Sequence, residues 1–450
     1  MRKVGFAALT VAFLLFLSVV PASSVTWQTP LQITDTPDMK FSVSLFVDSD
    51  GVAHIAFSTS YFGTFGEVYY ANNNGGNFPT PVQIPSPVNQ NVGPSLAVDS
   101  DGYAHIAFYG GNGTQSLART VSTPYANVYY STNKGSLDGS FQTINLTDHS
   151  SPGITALTPD LALDSNGYVH IAWIGSNRDI YYANNTSGDF DTQRITFQNG
   201  ATTYESPSLA IDDDGFAHIV CSAYDDNDDE LYYTTNNVTG AAWHSLINVT
   251  NDPNTSAAPD DDEPDITVDD SGIVHIVWRR LFPEILGFLQ SFDSRTTYNY
   301  TQIFYTNGSK YGFQTLIPVS PINEADQHPS LALDSSENVH VSWHNETNQM
   351  IVYSNNIGGS FGTAENVSTT SYINRYSSLF IDNDDYIHIA YTGVPIGEGS
   401  WQVFYTNNGA PTPSVSEFAS YLFILGSATI GMLIMGIYLS RKEASKTGFN

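Results

Sequence analysis

The chain of 450 residues has one cysteine, Cys221, so no internal disulfide can staple it and its stability must come from packing and hydrogen bonding. Cationic side chains are scarce as well. Fifteen Lys and Arg stand against 45 Asp and Glu, for a formal net charge of −30, a balance that argues against nucleic acid as a partner and against nonspecific adhesion to an anionic membrane surface. Long apolar runs are missing from the body of the chain and confined to its ends, over Val4–Val20 and Phe418–Leu439. The expected architecture is therefore one large domain with a processed leader and a terminal anchor.

What is present is a repeat. Seven times an apolar run leads into an Asp-rich tight turn and then a strand with a His six residues after the first Asp. The turns begin at Asp48, Asp99, Asp164, Asp212, Asp269, Asp334 and Asp382, and the histidines are His54, His105, His170, His218, His275, His340 and His388. Successive copies are 48 to 65 residues apart, enough for four short strands and their turns, which is the size of a propeller blade. Apolar–polar alternation, aromatic and β-branched residues and Asp/Gly/Asn punctuation favour strands throughout. In the second unit these are strand A (Ser95–Val98), B (Ala104–Phe108), C (Val128–Ser131) and D (Phe141–Leu146). Strand C carries a Tyr in every unit: Tyr70, Tyr130, Tyr182, Tyr233, Tyr305, Tyr353 and Tyr405.

The seventh unit stops after strand C, at Asn408, while Thr26–Asp35 reads like a strand D with nothing ahead of it. Pairing the two removes two open sheet edges. The expected fold is all-β: a seven-bladed β-propeller of four-stranded blades, its N-terminal strand closing the last blade, plus one C-terminal transmembrane helix. The expected divisions are a signal peptide at 1–24, the propeller at 25–409, a short stalk at 410–417, the membrane helix at 418–439 and a cytoplasmic tail at 440–450. Arg441, Lys442 and Lys446 follow the apolar stretch, which places the tail inside and the propeller outside the cell. Eleven Asn-x-Ser/Thr triplets, among them Asn145 and Asn366, fit an exported protein, although a chain rich in these residues supplies several by chance.

In an up-and-down blade the B–C and D–A loops share one face and the A–B and C–D turns the other. The A–B turns are short and alike, whereas the loops of the opposite face vary, and variable loops on a repetitive scaffold are where function usually sits. Arg119, Arg178, Arg279, Arg280, Arg295 and Arg375, together with Lys40, map to that variable face; Arg194 does not. Guanidinium groups gathered there point to an anionic ligand, because Arg offers paired planar donors to carboxylate, sulfate or phosphate. The competing reading is ordinary ion pairing with nearby Asp and Glu.

The seven repeat histidines stand too far apart to share an ion and read as structural, each bonding within its own blade. Among His149, His244, His328 and His344, which lie outside the motif, His328 is the leading candidate, since it begins a strand A beside the channel mouth. The Asp-rich turns have too few oxygens for a calcium loop, so no cofactor is expected beyond weak Ca²⁺ binding at turns such as Asp212–Asp214 and Asp382–Asp385. Cys221 replaces the aromatic residue that ends strand B in other units, so a buried core thiol is expected.

The D-x-x-G-x-x-H-I phrase resembles the Asp-box (BNR) repeats of sialidase-like propellers, S-x-D-x-G-x-x-W, with His in place of Trp and with Glu337 and Asp385 in place of Gly in the last two units. It is closer still to repeats of bacterial and archaeal cell-surface propellers. The likeness covers about Thr26–Asn408 and implies the propeller fold. Sialidases also carry a central Arg triad and a (F/Y)-R-I-P tetrapeptide; that tetrapeptide is absent here. The resulting expectation is a membrane-anchored surface binding or adhesion module for anionic glycans or neighbouring surface proteins. The alternatives are a sialidase-like glycosidase or polysaccharide lyase working through Asp160 and Asp265, and a purely structural envelope protein.

Overall fold

The computed structural model describes residues 25–61, 64–112, 125–148, 154–196, 203–224, 229–237, 243–252, 259–282, 300–322 and 324–411. The leader, Arg119, His149, Arg295, most of the apolar loop after Leu281, and segment 412–450 with the expected membrane span lie outside the described residues. Among the described residues no helix is long and apolar enough to cross a membrane.

Seven sheets, each built on four antiparallel strands in the order A-B-C-D, form the seven expected blades. Blade 2 consists of Gln90–Val98, Ala104–Gly111, Tyr125–Thr132 and Gln142–Asn145, with Ile154–Thr155 pairing parallel to strand C. The A strands touch in sequence around the centre, and that of blade 1 (Met39–Val47) touches that of blade 7 (Tyr372–Ile381), so the ring is closed. The outer strand of blade 7 is Leu31–Gln32, which pairs antiparallel with Gln402–Asn407 through Leu31↔Tyr405 and Gln32↔Phe404.

The repeated motif has one physical purpose in every blade. The first Asp of the turn accepts backbone N–H groups two and four residues later with Oδ1, as Asp48 does from Asp50 and Val52 at 3.0 and 2.9 Å. Its Oδ2 faces the strand B histidine, whose Nδ1 lies 2.5–2.8 Å from the strand C tyrosine hydroxyl in all seven blades. Turn, strand B and strand C are thus tied by a buried Asp–His–Tyr relay. Burial holds His105, His170, His218 and His340 below the ordinary imidazole pKa and raises Tyr70, Tyr130, Tyr305 and Tyr405 to about 12, so the rings stay neutral and the phenols protonated.

The same tyrosine holds the next blade. Each strand C tyrosine meets, edge to face, an aromatic residue of the following outer strand segment: Phe141 on Tyr70, Phe190 on Tyr130, Trp243 on Tyr182, Phe313 on Tyr233 and Phe361 on Tyr305. Trp27, from the N-terminal segment, meets Tyr353 at 5.3 Å, and Phe78 of blade 1 meets Tyr405 at 5.4 Å, which completes the circle. Between blades lie apolar clusters such as Ala56, Val68, Leu96, Ile106 and Phe108; each fully buried large side chain contributes roughly 1.5–3 kcal/mol. Cys221 is buried in one of these clusters, and burial raises its thiol to about 12, so it is inert packing.

Closure by Trp27 gives a direct test. Trp27→Ala is expected to destabilise the protein by about 3 kcal/mol in urea unfolding, whereas truncating the fully exposed Leu137 should change stability by less than about 0.5 kcal/mol. Equal effects from the two substitutions would show that the N-terminal segment does not lock the ring.

Candidate functional site

Every strand A is interrupted at the same place by a β-bulge, between Phe41 and Val43, Val92 and Ser95, Leu157 and Asp160, Glu205 and Ser208, Asp262 and Asp265, Gln327 and Ser330, and Arg375 and Ser378. The bulged residues are Ser42, Gly93, Thr158, Ser206, Glu263, His328 and Tyr376, all in the left-handed region with φ between 45° and 61°. Six of the seven have side chains in a conformation that favours glycine, at a cost on the order of 1–3 kcal/mol each. In blade 2 the residue must be glycine, because a Cβ at Gly93 would come within 2.8 Å of the Tyr109 ring. Together these residues line an open recess of about 420 Å³ at the mouth of the central channel.

Two residues beyond each bulge an inner ring of side chains sews the blades together. Ser44, Ser95, Ser330 and Ser378 accept the backbone N–H of Leu96, Leu161, Leu379 and Leu45 on the next blade at 2.9–3.0 Å. Asp160 and Asp265 occupy the same position and accept the N–H of Leu209 and Leu331 at 2.8 and 2.7 Å. The structure therefore places both sequence-derived catalytic candidates in the wall of the mouth and engages each in holding a neighbouring blade. Ser208 Oγ lies between them, 3.2 Å from each carboxylate. A serine hydroxyl has one proton, so both contacts are satisfied together when Asp265 is protonated and donates to Ser208 while Ser208 donates to Asp160. Desolvation, reinforced by the charge of Asp160, raises Asp265 to about 7.

Across the mouth the bulge residues divide by chemistry. Ser42, Thr158 and Ser206 are small and neutral, whereas the consecutive blades 5, 6 and 7 present Glu263, His328 and Tyr376. The His328 Nδ1 lies 3.2 Å from Glu263 Oε2, which also accepts the His328 backbone N–H at 2.9 Å, and the His328 ring packs on Tyr376 at 4.8 Å. Sequence reasoning singled out His328 but not Glu263 or Tyr376 as mouth residues. The missed signal was the aligned series Ser-Val-Ser, Gly-Pro-Ser, Thr-Pro-Asp, Ser-Pro-Ser, Glu-Pro-Asp, His-Pro-Ser and Tyr-Ser-Ser, whose first position supplies the mouth residue and whose third supplies the inner-ring Ser or Asp.

The described arginines and Lys40 stand at this end of the blades, each with partners within the chain, whereas Lys134 and Lys310 lie at the turns of the opposite face, on Asp99 and Asn237. Arg178 pairs with Glu205; Arg279 binds Asp262 through Nε at 2.7 Å and lies 3.6 Å from Glu263. Arg280 grips Asp261 with two 2.7 Å bonds and reaches Asp252. Arg375 bonds Glu346 at 2.7 Å and lies over the Trp401 ring. Lys40 is buried, bonds the Thr36 and Asp38 carbonyl oxygens, and is lowered to about 8 by burial. Arg194 joins the group rather than standing apart: strand D of blade 3 (Asp191–Arg194) ends at the same face, where Arg194 pairs with Asp179. Exchange of partners at an exposed pair costs little, on the order of 0–1 kcal/mol.

Two further features lie near the mouth. Glu230, Asp252 and Asp261 bring carboxylate oxygens within 4.8 Å of one another, but Arg280 already neutralises two of them, so the trio reads as an ion-pair network. His344 is 1% exposed, and neither ring nitrogen has a hydrogen-bond partner; Arg375 Nε is also buried and unpartnered. Desolvation, with the nearby charges of His328 and Arg375, lowers His344 to about 3, so it is neutral.

No known family matches the chain, and no curated protein does. Solved structures do share its fold. A protein of unknown function from Dyadobacter fermentans aligns at 14% identity and TM-score 0.52, over 85% of this chain and 98% of its own. An ulvan lyase described as bound to -[GlcA(1-4)Rha3S]- aligns at 12% identity and TM-score 0.55, over 84% of this chain and 93% of its own. Polysaccharide lyase Uly1 aligns at 10% identity and TM-score 0.54, over 87% and 93%. Likeness at this level establishes the propeller architecture that the repeat implied and nothing about substrate.

The raised pKa of Asp265 has a stability consequence of definite sign. An unfolded Asp ionises near 3.8 and the folded one near 7, so this group's penalty on the folded state grows as pH rises between those values and is constant above them. Asp265→Asn is expected to gain stability relative to the original chain on going from pH 4 to pH 7 in paired thermal unfolding curves. Parallel pH profiles for the two proteins would rule out a protonated Asp265.

Proposed function

We propose that this protein is a surface-displayed glycan-binding propeller, exported by its leader and held by its C-terminal apolar segment, whose ligand is an acidic saccharide seated at the channel mouth. One observation carries the reading: a strained backbone position repeated seven times holds small neutral residues on one side and Glu263, His328 and Tyr376 together on the other. Strain kept in a side-chain-bearing residue where glycine would be cheaper is strain kept for the side chain. Tyr376 and Tyr109 offer ring faces to the C–H surface of a sugar, and Glu263 and His328 offer polar partners to its hydroxyls. The acidic character of the ligand is supported by Arg375, next in sequence to Tyr376, whose side chain is 39% exposed and pairs with the comparably exposed Glu346, so that a carboxylate or sulfate can take that partner's place.

A second reading is polysaccharide lyase activity at the same place, favoured by the direct contact between His328, Tyr376 and Glu263 and by the lyases that share the fold. In such a reaction a base removes the proton on the carbon bearing the uronate carboxyl group, and the glycosidic oxygen departs from the adjacent carbon with a proton from an acid. His328 and Tyr376 are the groups positioned to serve.

The full chain displayed on a glycan array is expected to retain uronate-bearing or sulfated glycans over neutral ones, with at least a tenfold loss in affinity for His328→Ala or Tyr376→Ala and an unchanged melting temperature. Absence of binding to every acidic glycan, or binding indifferent to both substitutions, would remove the mouth as the site. Incubation with a uronate polysaccharide separates the two readings: growth of unsaturated-uronyl absorbance, reduced about 10²-fold or more in His328→Ala, identifies the lyase, and a flat trace with retained binding identifies the binding module.

A further inference from the structure

The seven repeat histidines provide seven copies of one arrangement, and one copy differs. In six blades Nε2 lies 2.9–3.3 Å from the turn aspartate. In blade 3 the His170 Nε2 stands 3.7 Å from Asp164 and has no hydrogen-bond partner, although the residue is only 2% exposed. His170 also lines a cleft of about 370 Å³ between blades 3 and 4, on the face that carries the Asp-rich turns. The remaining wall is aromatic (Tyr182, Phe216 and Trp243) and amide (Asn184, Gln193 and Asn236), with the Thr186 hydroxyl at its lip. Among the described residues no carboxylate, ammonium or guanidinium lines it, in a chain of formal net charge −30.

We propose that this cleft is a second binding site, for an uncharged saccharide unit, in which His170 Nε2–H donates to a ligand oxygen and the Trp243 indole packs against the sugar ring. The proton assignment follows from the other side of the imidazole. Nδ1 lies 2.6 Å from the Tyr182 hydroxyl, and burial keeps that phenol protonated, so Tyr182 donates to Nδ1 and the single imidazole proton sits on Nε2. A buried N–H without an acceptor is costly, and a neutral hydroxyl or carbonyl oxygen satisfies it without introducing a charge that the wall could not pair. Amide side chains both donate and accept, which matches an array of hydroxyls, and the volume lies within the range of small-ligand pockets. This site is separate from the channel mouth and stands whether or not the mouth binds a glycan.

Saturation-transfer NMR of the full chain with glucose and with N-acetylglucosamine tests the assignment. Transfer to at least one of the two sugars is expected in the original chain. Trp243→Phe should weaken it roughly fivefold. Phenylalanine occupies the equivalent position in five other blades, as Phe78, Phe141, Phe190, Phe313 and Phe361, so this substitution has a folded precedent within the same molecule. Thr186→Trp, which fills the cleft from its exposed lip, should abolish transfer with an unchanged melting temperature, and Tyr376→Ala at the mouth should leave it intact. No transfer from either sugar, or equal transfer in both cleft variants, overturns the proposal. So does a glycan found by mass spectrometry on Asn184, which begins an Asn-Asn-Thr triplet and would place the chain's own sugar at the lip.

Discussion

The contact from turn aspartate through histidine to tyrosine hydroxyl is the constraint from which the rest of the molecule follows. It spans three consecutive segments of each blade and leaves the outer side of the tyrosine ring for the aromatic residue of the next, so one side chain links the hydrogen bonding of one blade to the packing of its neighbour. A buried polar network is stabilising only when its members are satisfied. In every blade but the third the carboxylate accepts turn N–H with one oxygen and the imidazole N–H with the other; the imidazole accepts the phenol in all seven, and an Asn two residues on adds a bond to the phenol in blades 1, 6 and 7. The arrangement needs no net charge transfer, which suits a position that excludes water.

Much of this was legible in the sequence because the network is local. Asp and His recur six residues apart in every unit with a Tyr 12 to 30 residues further on, and an outer strand without a blade at one end meets a blade without an outer strand at the other. The bulges were not legible. Pro-Ser and Pro-Asp read as the start of strand A, as in Ser95–Val98, whereas the strand begins several residues earlier, at Gln90, and crosses the left-handed residue on its way in. A strand that starts at the Pro position leaves Glu263 and Tyr376 outside it, and it leaves Asp160 and Asp265 at a strand entrance with no sign of the neighbouring-blade amides they accept. Nor could the sequence reveal the gap at His170: Asp-Ser-Asn-Gly-Tyr-Val-His carries the motif like its sisters, and the difference lies in a few tenths of an ångström.

Repetition makes departures informative in a way that a single irregular domain does not allow. Six blades measure what the seventh would look like under architectural demands alone. By that standard the mouth departs in three adjacent blades at one position, and the inner ring departs at Asp160 and Asp265, where carboxylates stand among serines. The two inner-ring departures have a structural outcome, since both aspartates still accept the neighbouring backbone amide and share Ser208 between them. The mouth departures place Glu263 against both His328 and Arg279, and the backbone amide that Glu263 accepts is that of His328, itself a mouth residue, rather than the Leu amide that the inner ring holds.

The arginines show why position on a face is weaker evidence than partnership. All five described guanidinium groups stand at the loop end of the blades, yet their carboxylate partners stand there too, because an acidic chain recruits its few arginines to where loop carboxylates crowd. Their availability to a ligand then depends on burial. Asp261 is fully buried and takes two bonds from Arg280, so separating that pair would strand a charge in the protein interior, a cost of several kcal/mol. Arg375 and Glu346 are each more than a third exposed at the side chain, and water can take over either partner at little expense. A carboxylate or sulfate arriving at the mouth would thus exchange with Glu346 far more readily than with Asp261, and Arg375 is also the arginine beside Tyr376. Arg178 and Glu205 are more exposed still, about half at each side chain, so loose pairing alone does not single out Arg375; its place next to Tyr376 does.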